Sequence, residues 1–168
     1  QTAGTGPPEP KPKPKTESRT QELAGTHGVH QLLLFTGDGA GSCSMACTYC
    51  FLHKVGPHRV MSEQTLRDAI AFLEGLTDEP SLHFFGTEPT MQWRLIVEAR
   101  RLRPDWPMSM TTNGLLLTPE RIDWITENDV RVYVYSIDGG PEHHRHRRDA
   151  QGRPTWDTVS EHLRYLVQ

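Results

Sequence analysis

Cysteine is scarce in this chain: three residues in 168, an odd number that internal disulfides cannot use up. No apolar run approaches the roughly 20 residues that span a bilayer; the most apolar early segment, Gln31 to Phe35, is far too short. The N-terminus lacks the charged-then-apolar order of a secretory signal. Basic residues are not in excess, with 18 Lys and Arg against 21 Asp and Glu and a net charge of −3. No overall positive field recruits nucleic acid or an anionic membrane, so neither is expected as a partner. Thiols left outside disulfides, without a leader, point to a reducing cytoplasm. The glycines of Gly37 to Gly41 are not followed by GK[ST], which sets aside a phosphate-cradling loop and leaves them as a flexible lead-in to the cysteines.

What is present begins with a solvated segment. Gly6 to Lys15 alternates proline and lysine, a composition that buries no apolar surface, so residues 1–22 are expected to form an extended tail or linker and 23–168 the folded domain. The chain starts with Gln and stops inside a helix-like pattern at Leu166-Val167-Gln168, as expected of a piece of a longer protein.

The three cysteines stand together in Cys43-Ser-Met-Ala-Cys47-Thr-Tyr-Cys50, the spacing CxxxCxxC. Small residues fill most of the gaps, and one tight loop can wrap three corners of an inorganic core. A cubane [4Fe-4S] cluster takes one thiolate per iron. Three thiolates leave one iron with an open position, where a ligand can bind. The same thiolates with His53, three residues after Cys50, could instead hold a tetrahedral zinc ion, although Cys₃His zinc sites usually draw on CxxC pairs far apart in sequence.

The rest of the chain alternates strand and helix. His30 to Thr36 reads as a strand buried on both faces of a parallel sheet. Ser62 caps a helix with Leu66, Ala69, Ile70, Leu73 and Leu76 on one face. Ser81 to Phe85 is a second strand, followed by a helix with Met91, Leu95, Ile96, Ala99 and Leu102 inward. Met108 to Thr112 is a third, followed by a helix capped at Thr118 with Pro119 in its first turn. Val130 to Ile137 is a fourth, and Trp156, Val159, Leu163 and Leu166 mark the last helix. Four βα units predict parallel strands joined by right-handed crossovers. Each unusual polar or glycine-bearing stretch follows a strand: the cysteines, Gly86-Thr-Glu-Pro89, Thr111-Thr-Asn-Gly114 and Ser136-Ile-Asp-Gly139. In parallel α/β folds ligands bind at the carboxyl ends of strands, so these four converge on one face.

The cysteine motif, with Tyr49 before its third cysteine, resembles the signature of the radical S-adenosylmethionine (radical SAM) superfamily. The later motifs resemble its peptide- and protein-modifying branch, anaerobic-sulfatase-maturase-like, which usually carries a C-terminal SPASM domain. The resemblance runs from about Leu32 to the end. It implies a partial, truncated (β/α)6 TIM-like barrel in which Cys43, Cys47 and Cys50 hold a [4Fe-4S] cluster. Phe84 to Pro89 is similar to the family's GGEP stretch, which places Gly86, Thr87 and Glu88 at the amino group of S-adenosylmethionine; a backbone carbonyl and a carboxylate suit that donor. Thr87 stands where the family has a second glycine, and its β-branch requires extended backbone there. Glu88 also has a plainer reading as a first-turn helix carboxylate.

The resemblance further places Asn113 and Ser136 at the cofactor, with Ser136 on the nucleoside, and Arg148 on the methionine carboxylate, for which a guanidinium is well shaped. Asn113-Gly114 reads equally as a turn tolerant of positive φ, Asp138 as a local turn acceptor, and Tyr49 as either an adenine contact or packing. His144 matches a family histidine. Three histidines in the basic loop 141–148 have no specific metal spacing, and the loop lacks the interleaved aromatics of a nucleic-acid site. The implied activity is reductive cleavage of S-adenosylmethionine and hydrogen abstraction from a peptide or protein side chain, with a flavodoxin- or ferredoxin-like one-electron donor. No residue of the chain itself is assigned as catalytic. The competing reading is a non-catalytic zinc or iron–sulfur module.

Overall fold

The computed structural model describes residues 29–54 and 59–168. The expected tail over 1–22 and the expected domain start at 23 lie outside the described residues, as does the side chain of His53. Among the described residues six strands form: β1 (Gln31–Phe35), β2 (Gly37–Asp38), β3 (Arg59–Val60), β4 (Ser81–Phe85), β5 (Met108–Thr112) and β6 (Val130–Tyr135). Five α-helices accompany them: α1 (Glu63–Glu74), α2 (Trp93–Leu102), α3 (Pro119–Glu127), α4 (Pro141–His144) and α5 (Trp156–Leu166).

One sheet runs β1-β4-β5-β6, every pair parallel. The order never reverses, so each crossover steps the same way around the sheet. That progression belongs to a barrel wall and not to a doubly wound sheet, whose strand order turns back at a switch point. Alternate residues of the sheet face the helices: Leu34, Leu82, Phe84, Met108, Met110 and Val130 join Leu66, Ile70, Leu73, Leu95, Ile96, Ala99, Ile122 and Ile125 in one buried core. The helix faces expected from three- and four-residue spacing are largely those observed. Ser62 caps α1, its Oγ accepting from Thr65 N at 3.0 Å.

Three local expectations are corrected, and the cap at Thr118 is specified. β1 is not buried on both faces: Leu34 is covered, but Leu33 and Phe35 are 52 % and 56 % exposed, because helices line only one side and β1 is an edge strand. Met91 is exposed, since Pro89–Gln92 forms a single 3-10 turn before α2 begins and breaks the helical phase. Thr118 is the N-cap of α3 as expected, its carbonyl accepting from Arg121 N and Ile122 N at 3.0 and 2.9 Å with no capping bond from its hydroxyl. The fourth strand of the sheet ends at Tyr135.

The other face of the sheet is concave and open, a hollow of about 520 Å³ lined by Leu33, His83, Phe85, Ser109, Thr111 and Tyr133 among others. His83 is buried at its floor and bonds Ser109 Oγ at 2.7 Å and Thr111 Oγ1 at 2.9 Å. A register shift between β5 and β6 pairs Met110 with Val132 but Thr111 with Val134. The extra residue, Tyr133, stands edge-on to His83, as a bulge re-aims side chains. Beyond the bulge Tyr135 donates to Val159 O at 2.8 Å, which joins the sheet's end to α5.

That hydrogen bond fixes the need for glycine at 114. Gly114 has φ +77, and a Cβ there would lie 2.1 Å from the Tyr135 hydroxyl. The ring cannot move aside without giving up Val159. Gly114→Ala is expected to cost about 2–4 kcal/mol from left-handed backbone strain and overpacking together, read as a lowered midpoint in chemical denaturation.

Candidate functional site

All four strand-end motifs meet at one end of the sheet. β2 and β3 pair antiparallel, Gly37 with Val60 and Asp38 with Arg59, and close the base of the loop that carries the cysteines. Asp38 and Arg59 add an ion pair at 3.1 Å. The GTEP stretch packs directly against this base. Gly86 has φ +112, and a Cβ would meet Gly37 O at 3.1 Å. Thr87 keeps negative φ, as its β-branch requires, and its hydroxyl donates to Ser42 O at 2.7 Å. Where the family has a glycine, this chain thus has a tether to the residue preceding Cys43.

Cys43, Cys47 and Cys50 form no disulfide. They share one apolar nest with Met45, Leu115, Tyr135, Ile137 and Val159. Cys43 Sγ accepts from Met45 N at 3.4 Å and from Asn113 Nδ2 at 3.6 Å. Burial pushes the Cys43 thiol up to about 11. It also raises the Cys47 thiol, against the pull of the Arg147 cation. Metal uptake must therefore displace protons from these sulfurs.

This donor set fits an iron–sulfur cluster. Three thiols outside any disulfide rise from one loop, two N–H groups aim at a sulfur, and apolar side chains pack around them, which are features that hold and tune such clusters. Among the described residues no three His, Cys, Asp or Glu side chains converge tightly enough for a single ion. A cubane needs no such convergence, because each thiolate takes a different iron.

Glu88 is nearly inaccessible, at 1 % exposure. Its Oε1 accepts from Thr90 N (3.1 Å), Thr90 Oγ1 (2.5 Å) and Thr112 Oγ1 (2.7 Å), and its Oε2 from Asn113 N (2.7 Å). The carboxylate therefore joins the ends of β4 and β5. It also caps the 3-10 turn, so the plainer sequence reading has a structural counterpart. Burial raises its pKa, with the four donors acting in the opposite sense. Asn113 has both a turn role, Oδ1 accepting from Leu115 N at 3.0 Å, and a place beside Cys43 and Ser44, whose Oγ accepts from Nδ2 at 3.2 Å. Ser136 follows β6 and donates its N–H to Thr112 O at 2.8 Å.

The basic loop divides differently from the sequence reading. Arg148 is exposed at its guanidinium, which donates to Gly152 O at 2.8 Å. Arg147, which sequence reasoning passes over, is the arginine turned toward the cysteines. It donates to Asp138 Oδ1 at 2.9 Å and lies 5.6 Å over the Tyr49 ring. The Tyr49 hydroxyl donates to Asp138 Oδ2 at 2.5 Å. Arg147 holds the Asp138 carboxyl below its usual range. His144 is a buried post, bonded to Thr155 Oγ1 at 3.1 Å and edge-on to Trp156, while His143 pairs with Glu142 and His146 with Thr48. The alternation of cross-strand contacts around Arg147 has no signal in the sequence, because the loop pairing that creates it joins segments about a hundred residues apart.

Among the described residues no helix is long and apolar enough to cross a membrane. The chain is 31 % identical over 140 residues to a serine-type anaerobic sulfatase-maturating enzyme of Bacteroides thetaiotaomicron, covering 74 % of this chain and 34 % of that protein. It is 28 % identical over 144 residues to a cysteine-type anaerobic sulfatase-maturating enzyme of Clostridium perfringens, covering 76 % and 39 %. The chain thus spans little more than a third of the length of these curated relatives. Among solved structures, native anSMEcpe with bound AdoMet and Cp18Cys peptide superposes with a TM-score of 0.71 at 25 % identity, over 82 % of this chain and 39 % of that one. The parallel α/β fold of the chain resembles part of that neighbour. The model of the radical SAM superfamily matches residues 40–168, from the cysteine loop through the last helix, and the chain belongs to that superfamily.

Proposed function

We propose that residues 23–168 are the cluster-bearing part of a radical SAM enzyme that modifies a peptide or protein side chain. The observation that carries this reading is the meeting of three thiols, none in a disulfide, with the GTEP, TTNG and SIDG stretches at one end of a parallel sheet. When bound, a [4Fe-4S] cluster supplies the electron that cleaves S-adenosylmethionine to methionine and a 5′-deoxyadenosyl radical, which takes hydrogen from the substrate. Cys43, Cys47 and Cys50 would hold it. Asn113 and the Met45 N–H steady Cys43 by donating to its sulfur.

Recognition of S-adenosylmethionine is proposed for the rim of the same end. Glu88 spends its oxygens on four internal donors, so its part is to fix the Gly86–Thr87 turn, whose backbone carbonyls offer the acceptors an amino group needs. Tyr49 is 56 % exposed and offers an aromatic surface. Ser136 follows β6, held by its N–H bond to Thr112 O. Arg148 reaches a carboxylate only by leaving Gly152, while Arg147 already stands at the cysteines. The concave face beyond, with its His83–Ser109–Thr111 floor and apolar walls, suits a peptide side chain. The proposed reductant is a one-electron protein donor of flavodoxin or ferredoxin type.

The experiment is anaerobic reconstitution of the full-length protein with iron and sulfide. Bound iron and sulfide that are lost when Cys43, Cys47 and Cys50 are replaced, a changed EPR spectrum on adding S-adenosylmethionine, and 5′-deoxyadenosine formed with reductant are expected. Zinc in place of iron, or a cluster blind to S-adenosylmethionine, would leave a metal-binding module and overturn the reading.

A further inference from the structure

Arg147 faces the middle cysteine through a short antiparallel pairing. Met45 bridges Asp149, Ala46 N donates to Arg148 O at 2.6 Å, and Thr48 N donates to His146 O at 3.0 Å. That register makes Arg147 the cross-strand neighbour of Cys47, in a non-hydrogen-bonded pair where opposed Cβ atoms stand on the order of 5 Å apart. The Arg147 side chain is 16 % exposed and its partner Asp138 is 29 % exposed. Tyr49, one residue before the third cysteine, pins the other oxygen of Asp138. A cation and an anion are therefore held in fixed positions, both largely out of water, beside a sulfur donor that is itself buried.

Fixed charges in such a place bear on electron transfer. An iron–sulfur cluster gains one negative charge when reduced, and its potential follows the charges and hydrogen bonds around its sulfurs. Low local dielectric makes a nearby charge count for more than it would in water. A cation at Cys47 favours the reduced state and an anion opposes it. Neither group needs to touch the reacting atoms to have this effect.

We propose that Arg147 and Asp138 are a charge pair that sets the reduction potential of the cluster at Cys43, Cys47 and Cys50, Arg147 raising it and Asp138 lowering it. The proposal rests on the cluster-bearing function proposed for the chain. Both residues are positioning residues acting through Cys47, and Tyr49 is the brace that keeps Asp138 from following Arg147 away from the site.

The test is an EPR-monitored dithionite titration of the anaerobically reconstituted full chain, with iron and sulfide content matched among variants. Arg147→Gln is expected to shift the midpoint to more negative values and Asp138→Asn to less negative values. Each shift is expected to change the reduced-to-oxidised ratio at fixed potential about tenfold, equivalent to 59 mV for one electron. Arg147→Lys, which keeps the charge, stays near the wild type. Opposite signs separate electrostatics from loosened packing, because structural damage moves both variants the same way. Shifts of one sign, or none, overturn the proposal while the wild-type cluster and its response to S-adenosylmethionine leave the functional reading standing. If Arg147→Gln fails to hold iron, Asp138→Asn and Arg147→Lys decide: a less negative midpoint in the first with none in the second supports the pair, and any other combination overturns it. A wild-type chain that assembles no cluster overturns the functional reading and this proposal together.

Discussion

Replacing Cys47 with alanine is expected to abolish both cluster assembly and 5′-deoxyadenosine formation, leaving only the background of the reductant. The middle cysteine is the most enclosed of the three, at 8 % exposure, and sits in the nest formed with Met45 and Val159. No other thiol exists in the chain to replace it. Serine is no substitute, since its hydroxyl does not offer the soft anionic ligand that iron–sulfur cores require. Fold and function separate cleanly in this variant. Alanine keeps the buried position apolar and adds no bulk to the nest, so circular dichroism and denaturation midpoint should stay near those of the metal-free wild type. Asn113→Ala gives a graded comparison. It removes one donor from Cys43 and retains all three ligands, and supporting contacts of this kind usually carry about 10–100-fold in metal affinity or activity. The measurement is iron and sulfide per chain after desalting, together with 5′-deoxyadenosine yield. A Cys47→Ala protein that retains the wild-type iron content and cleaves S-adenosylmethionine would remove the cysteine loop from the chemistry.

Much of this site is legible in the sequence because its parts obey local rules. The strands Ser81–Phe85 and Met108–Thr112 match their expected bounds, since short apolar runs between turn signals leave little room for error. The clustering of motifs at one sheet end follows from parallel topology alone. What escapes depends on contacts between segments distant in the chain. The β2–β3 pairing is two residues long on each side, below any periodicity signal. In the sequence Glu88 reads as meeting a ligand or a helix dipole, whereas its burial comes from donors on β5 and on the turn after it, 24 and 25 residues further on. Arg147 and Arg148 are adjacent, and only the antiparallel docking of the cysteine loop decides which of them faces inward. A family match by spacing selects Arg148; alternation along an extended segment selects Arg147 for the Cys47 side.

Glu88→Ala is expected to destabilise the metal-free fold by about 2–6 kcal/mol, since two buried backbone donors lose their acceptor at about 1–3 kcal/mol each. Four donors would be left facing a void: two backbone N–H groups and two threonine hydroxyls. The hydroxyls can rotate toward other acceptors, but Thr90 N and Asn113 N cannot. Glu88→Gln is milder, about 1–3 kcal/mol. Its carbonyl oxygen serves the three donors now on Oε1, and its amide nitrogen then meets Asn113 N–H, donor against donor. The two variants also carry a pH signature. Burial raises the Glu88 carboxyl above its ordinary value of 4.5, so over an intermediate range the native state binds a proton that the unfolded chain has lost. Stability from this group is complete below the ordinary value and is lost as pH rises through the raised folded value. Glutamine does not titrate, so the wild-type advantage over Glu88→Gln should shrink as pH climbs from about 5. Urea denaturation of both proteins across that range measures it. An advantage that grows with pH would mean that the four donors outweigh burial and hold Glu88 ionised, making it a charged staple between β4 and β5 and not a protonated one.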